Sequence, residues 1–162
     1  MKRILMIGVV LLGVAGPALA DGLPARAPGL WQSTTTVDGP DGQPLANAVD
    51  VMTVSCVDAL NDQKFFLSNQ SACTSLTVSQ SGSSYRIDGV CSQNGKPAKI
   101  DETLDYADAK DVTLTAKLGQ MTVHSQLQWQ GECLAGMEPG DEGDIENGAF
   151  VKADNINDQA NQ

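Results

Sequence analysis

The sequence predicts a mainly β protein, an antiparallel meander curling into a small open barrel or sandwich, with one short helix and two disulfides. Three observations carry this expectation. Residues 121–129 alternate strictly, with Met121, Val123, Ser125, Leu127 and Trp129 on one side and Thr122, His124, Gln126 and Gln128 on the other. That period of two is a strand with one buried face. From residue 75 onward similar stretches recur with short Gly, Asn and Ser turns between them, the spacing of antiparallel neighbours. Finally, the chain holds four cysteines, Cys56, Cys73, Cys91 and Cys133. An even count in a small exported domain reads as a disulfide frame.

Export is expected from the start of the chain. Met1-Lys2-Arg3 is a basic head, residues 4–15 are apolar apart from glycine, and Pro17-Ala18-Leu19-Ala20 offers the small residues read by a signal peptidase. Residues 1–20 therefore read as a signal peptide, with the protein periplasmic or secreted. The apolar run is shorter than the roughly 20 residues of a membrane span, and no cysteine follows the cleavage point, so no membrane anchor is expected. The 162-residue chain carries a formal net charge of −10. The exported part is more acidic still, because Lys2 and Arg3 leave with the signal. This excludes the basic footprint that nucleic-acid binding requires and disfavours anionic lipid surfaces.

Residues 21–29, rich in Pro, Gly and Ala, read as an extended lead-in. The antiparallel β domain spans 30–134. Its first strand is 30–37, where the run Thr34-Thr35-Thr36-Val37 supports strand over helix. Residues 38–42 form a Gly/Pro/Asp turn, and a second strand covers 47–57. Asp58 is a good N-cap for a short helix at 59–67, whose Leu60, Phe65, Phe66 and Leu67 form an apolar side. Strands follow at 75–80, 85–91, 98–106, 112–118 and from 121. Asn94-Gly95 is a strong hairpin signal. Residues 135–162 hold many carboxylates, one lysine and few apolar side chains. They read as an acidic disordered tail, too poor in apolar surface to offset ordering entropy.

Four cysteines allow three pairings. Near neighbours in a meander favour Cys56–Cys73 with Cys91–Cys133. Zinc is not expected, because gaps of 17, 18 and 42 residues lack close Cys-x-x-Cys pairs.

Several of these residues carry a resemblance. Gly29-Leu30-Trp31 opens a Thr-rich strand, Cys56-Val57-Asp58 follows, then come Cys73, Cys91 and the closing Trp129-Gln130-Gly131-Glu132-Cys133. In this order the chain resembles the DUF3617 family of uncharacterised exported bacterial domains, over about residues 30–133. The resemblance implies one compact exported domain and no assigned activity. The acidic stretch after Cys133 and a thin glycine-rich segment before the last strands depart from the family pattern.

The chemistry-bearing residues are few. His124 is the single histidine. A hydrolase would need it beside a carboxylate such as Asp101 or Asp105 and a nucleophile, yet no serine stands in a Gly-x-Ser-x-Gly context. Asp101 and Asp105 share one strand face and Glu102 lies on the other, with Lys99 placed to pair Asp101 across the surface. No phosphate loop or nucleotide fingerprint is present. No catalytic residue, metal site or cofactor is therefore assigned. Trp31 and Trp129 fall on apolar strand faces and read first as core anchors. With Leu114 they are the candidate lining of an apolar ligand cavity, because small curled sheets can enclose one ligand. The expected function is a non-catalytic binding or structural protein whose partner is another protein or a small apolar ligand. The alternative is a hydrolase using His124.

Overall fold

The computed structural model describes residues 22–45, 51–67, 73–93 and 96–158. The expected signal peptide at 1–20, the first residues of the predicted second strand, the Asn94-Gly95 turn and the last four residues lie outside them. Among the described residues nine strands and one helical turn appear in the order β1 (Gly29–Asp38), β2 (Val51–Val57), α1 (Lys64–Leu67), β3 (Cys73–Ser81), β4 (Ser84–Gln93), β5 (Lys96–Asp108), β6 (Asp111–Leu118), β7 (Met121–Gly131), β8 (Asp141–Glu146) and β9 (Ala149–Asn155). They form one antiparallel sheet in the order β3-β4-β5-β6-β7-β1-β2-β8-β9, which does not close on itself. The seven strands expected from alternation are all present, so the mainly β, open, curled architecture stands.

Registration explains which side is buried. Trp31 faces Trp129, Leu127 faces Val112, Leu104 lies between Leu114 and Tyr85, and Ile87 faces Val78. These positions share one side of the sheet, and Trp31, Ile87, Leu104 and Val112 are at most 1% exposed. The lead-in and residues 58–67 pack into this inner face. Leu23, Leu67, Phe65 and Phe66 join the cluster of Trp31, Tyr85, Ile87, Leu104, Tyr106 and Leu127.

Both covering segments are held by a buried charge pair. Arg26 donates through Nε to Asp62 Oδ1 at 2.7 Å, and its backbone N–H donates to Asp62 Oδ2 at 2.8 Å. The guanidinium lies over the rings of Phe66, Trp31 and Phe65 at 4.5, 4.9 and 5.3 Å, a stacked arrangement that suits its weakly hydrated planar charge. The expected helix at 59–67 is shortened to α1 for a local reason. Asp58 Oδ1 accepts from the backbone of Leu60 and Asn61, and Asn61 Oδ1 accepts from the backbone of Asp58. These reciprocal bonds cap a helical start, but the N–H groups of Lys64, Phe65 and Phe66 then donate to the carbonyls three residues back, of Asn61, Asp62 and Gln63, and make tight turns in place of a regular α ladder. Regular helix begins only after Asp62 has turned inward to Arg26.

Two expectations are corrected. The disulfides join Cys56 to Cys133 and Cys73 to Cys91, in place of Cys56–Cys73 and Cys91–Cys133. Cys73 and Cys91 are cross-strand partners in the β3–β4 hairpin, whereas the segment after Cys56 crosses the inner face and carries β3 to the far edge. Cys56 sits beside Leu30, which is paired to Gly131 near the end of β7, so Cys133 is the cysteine within its reach.

Second, much of the acidic stretch is ordered. β8 and β9 form a hairpin that extends the sheet through Val54–Gly143 and Ser55–Glu142 pairing with β2. The Gly140 N–H donates to the Cys56 carbonyl. Asp141, 2% exposed, takes Lys152 Nζ at 2.6 Å and Asn155 Nδ2 at 2.7 Å. Burial pushes its carboxyl up, but donation from the Glu138 backbone, Lys152 and Asn155 outweighs this and holds it below its usual range. Ile156 supplies a buried apolar anchor. A hairpin docked on an existing sheet edge needs little apolar surface of its own, which composition could not reveal.

Two outcomes test this arrangement. Non-reducing peptide mapping should recover Cys56–Cys133 and Cys73–Cys91 peptides, and removing the first bridge should cost more stability than removing the second. The spans of 77 and 18 residues correspond to about 4.5 and about 3 kcal/mol in the loop-entropy model. Asp62→Ala, which strands the Arg26 charge, should lower unfolding free energy by about 3–5 kcal/mol in denaturant titration.

Candidate functional site

Two places combine unusual chemistry with defined geometry. The first is a corner where the ends of β1, β2 and β7 meet. Trp31 Nε1 donates to the Ala27 carbonyl at 2.8 Å and Trp129 Nε1 to the Pro28 carbonyl at 3.0 Å. The two indoles thus grip consecutive carbonyls of the lead-in. Gly29 has a φ of 133°, and any Cβ there would strike the Gly131 carbonyl and the Trp129 indole. Lys110 Nζ lies 3.8 Å from the centroid of the Trp129 ring.

The second is a partly open cavity of about 730 Å³ at the other end of the inner face. α1 contributes Phe65, Phe66 and Leu67. The sheet contributes Leu76, Ile87, Ile100, Leu114 and Leu118, with the Cys73–Cys91 bridge at one side. β3 curls in over the space at Gly89. A Cβ at that position would come within 2.5 Å of the Ser75 carbonyl and 2.9 Å of Leu76 Cδ1, so the close approach of Leu76 depends on the missing side chain.

The wall holds one inward carboxylate. Glu102 is paired across the sheet with Ile87 on β4 and Ala116 on β6, both buried. Among the described residues it has no hydrogen-bond or ion-pair partner. Burial pushes its carboxyl above the usual glutamate range. Lys99, Asp101 and Lys117 also line the cavity. As the sequence suggested, Lys99 meets Asp101 at 3.4 Å, and Arg86 reaches the same carboxylate at 3.0 Å.

The three residues expected to line a cavity are divided by this geometry. Leu114 does line it. Trp31 and Trp129 are cross-strand partners at the corner and are absent from its wall. Glu102 was placed on the correct face, but its significance needed the neighbours across the sheet, which alternation within one strand does not identify. Phe65, Phe66, Leu76, Ile87 and Ile100 could have been read as core and nothing more.

His124 has a different carboxylate from the two considered. Its Nε2 lies 3.2 Å from Asp38 Oδ2, and its Nδ1 lies 3.4 Å from the Thr115 hydroxyl. Asp101 and Asp105 face other partners, Arg86 and Ser84. The His124 group stands on the outer face, with the histidine side chain 42% exposed, and the wall of the cavity beneath α1 does not include it. Among the described residues no cluster of three or more His, Cys, Asp or Glu could hold a metal ion, and no helix is long and apolar enough to cross a membrane.

Fold and site together define a disulfide-stapled, open antiparallel β domain with an apolar cavity beneath a helical turn. The family model described as "Protein of unknown function (DUF3617)" matches residues 26–133, and the chain belongs to that family. No curated protein and no solved structure matches the chain.

The position of Glu102 has a measurable consequence. Its folded-state pKa lies above the unfolded value, so the native state holds the proton more tightly. Stability must then fall as pH rises through the usual glutamate range toward the folded pKa. Glu102→Gln removes that loss. The variant should melt above the wild type at pH 7, and thermal scans should show the gap closing below about pH 4.

Proposed function

We propose that this chain is an exported, non-catalytic envelope protein, periplasmic or secreted, that holds a small apolar ligand beneath α1. The cavity is the observation that carries this reading. Its volume falls in the range of small-molecule sites, about 300–1,000 Å³, and Phe, Leu and Ile make up eight of its seventeen lining residues. The surrounding core is otherwise filled by large side chains such as Trp31, Ile87 and Leu104, each at most 1% exposed. A concave, partly open space with an apolar floor beside a filled core is the usual setting of a small-molecule site. Two disulfides suit an oxidising compartment. No observation favours hydrolysis: His124 pairs with Asp38 on the outer face of the sheet, away from the cavity beneath α1.

The test is binding of N-phenyl-1-naphthylamine, an uncharged apolar dye whose fluorescence rises on leaving water. The wild type should take up one equivalent. Leu114→Trp, which fills the cavity from β6, should weaken uptake at least tenfold while retaining the native circular dichroism spectrum. Equal dye binding by the two proteins, or none by the wild type, would sink the reading.

A further inference from the structure

Resting on the reading of the cavity as a ligand site, we propose that its occupant is a single-chain amphiphile with a monocationic head, seated with the head on Glu102 and the chain along Phe65, Phe66, Ile100 and Leu114. The argument starts from register. Glu102 lies on the side of β5 that also carries Ile100 and Leu104, between Ile87 and Ala116 on the neighbouring strands. On that side an apolar residue would complete the core at no electrostatic cost. A carboxylate there is costly unless something pairs it, and among the described residues nothing does. Among the lining residues Glu102 is the carboxylate that shares the sheet side of Ile100 and Leu104 and has no partner among the described residues, which matches the usual design of an apolar site with few convergent polar groups.

The sign of the head group follows from which charges around the cavity are already satisfied. Asp101 is neutralised by Lys99 and Arg86. Lys117 lines the cavity beside Leu118 and Gly119 and is exposed to water, where an ammonium is well solvated without a partner. Glu102 is the charge partly removed from water, and burial raises its carboxyl pKa. A bound cation would reverse that shift by favouring the ionised form. An anionic head would instead place like charge against it and would have to stay at Lys117, outside the desolvated wall. A primary ammonium has three N–H donors to share between a carboxylate and water, and charge-assisted bonds are roughly twice as strong as neutral ones.

Displacement of N-phenyl-1-naphthylamine by dodecylamine, dodecanol and dodecanoate, all below their micellar concentrations, separates the possibilities. On the wild type dodecylamine should compete at least tenfold better than dodecanoate, with dodecanol between them. Glu102→Gln should retain dye binding and dodecanol competition but bring amine and carboxylate within about threefold of each other. A wild-type preference for dodecanoate, lost in Lys117→Gln, would overturn the proposal by moving the head to the rim. Equal competition by all three in wild type and Glu102→Gln would also overturn it, leaving a cavity that reads the chain alone. If the dye itself does not bind, the underlying cavity reading falls, a result distinct from either of the others.

Discussion

The Arg26–Asp62 pair is the constraint on which the inner face depends. An open curled sheet of this kind presents one apolar side that must be covered, and here the covering pieces are short and mostly irregular. The lead-in and residues 58–63 have no sheet or helix ladder of their own among the described residues. They are joined by one buried carboxylate taking two donors from Arg26 and by a guanidinium set among three aromatic rings. Pairing of this quality is needed to offset desolvation of both charges. The same environment acts on Tyr106, whose hydroxyl is pushed up to about 12 mainly by burial and further by the Asp62 charge. Tyr106 therefore stays a neutral phenol through the ordinary pH range and contributes packing, edge-on to Tyr85 at 5.5 Å between ring centroids. α1 follows directly from Asp62, so the pair also sets the roof of the cavity.

The residues that mark the family converge at one structural corner. Gly29, Trp31, Cys56, Trp129, Gly131 and Cys133 come from three strands and the segment just after β7, yet they meet where the lead-in enters the sheet. Each has a mechanical task there. The glycine permits close backbone approach, the indoles hold two carbonyls, and the disulfide closes the chain after β7. Asp58, the last residue of the Cys56-Val57-Asp58 run, starts the turn that brings Asp62 inward. These motifs therefore describe how the domain is assembled. The cavity is built instead from residues such as Leu76, Ile100, Glu102 and Leu114, which belong to no such run.

This division explains what could be read in advance. Strand positions were legible because one buried face forces a period of two, and Leu127, Leu104 and Ile87 obey it without exception. Pairings across the sheet were not, because β1 inserts between β7 and β2. That insertion sends Cys56 to Cys133 and leaves Cys73 for its hairpin partner. The two tryptophans were rightly placed on apolar faces, but whether a large inward ring fills a core or lines a cavity depends on what packs opposite it. For Trp31 and Trp129 that was each other and the lead-in. For Leu114 it was open space. Glu102 looked like one of several surface carboxylates until Ile87 and Ala116 were set beside it.

The acidic stretch after Cys133 has its own physical logic. The family match ends at Cys133, and within that segment β2 is paired only with β1, leaving one line of backbone donors and acceptors unpaired. Such an edge invites pairing with other chains. The β8–β9 hairpin covers it and replaces it with the edge of β9, where Lys152 and Asp154 interrupt the apolar residues. Charged edges resist strand addition, and the carboxylates of β8 and β9 add net repulsion between copies. The opposite edge, β3, carries no charged residue. It is managed by a bulge between Cys73 and Ser75 and by the bridge to Cys91, both of which fix its twist and register. The carboxylates that argued against structure by composition thus protect the sheet when set on a docked hairpin. Asp141 shows how this is done, since the one carboxylate that must be buried to dock the hairpin is the one matched by Lys152, Asn155 and a backbone donor.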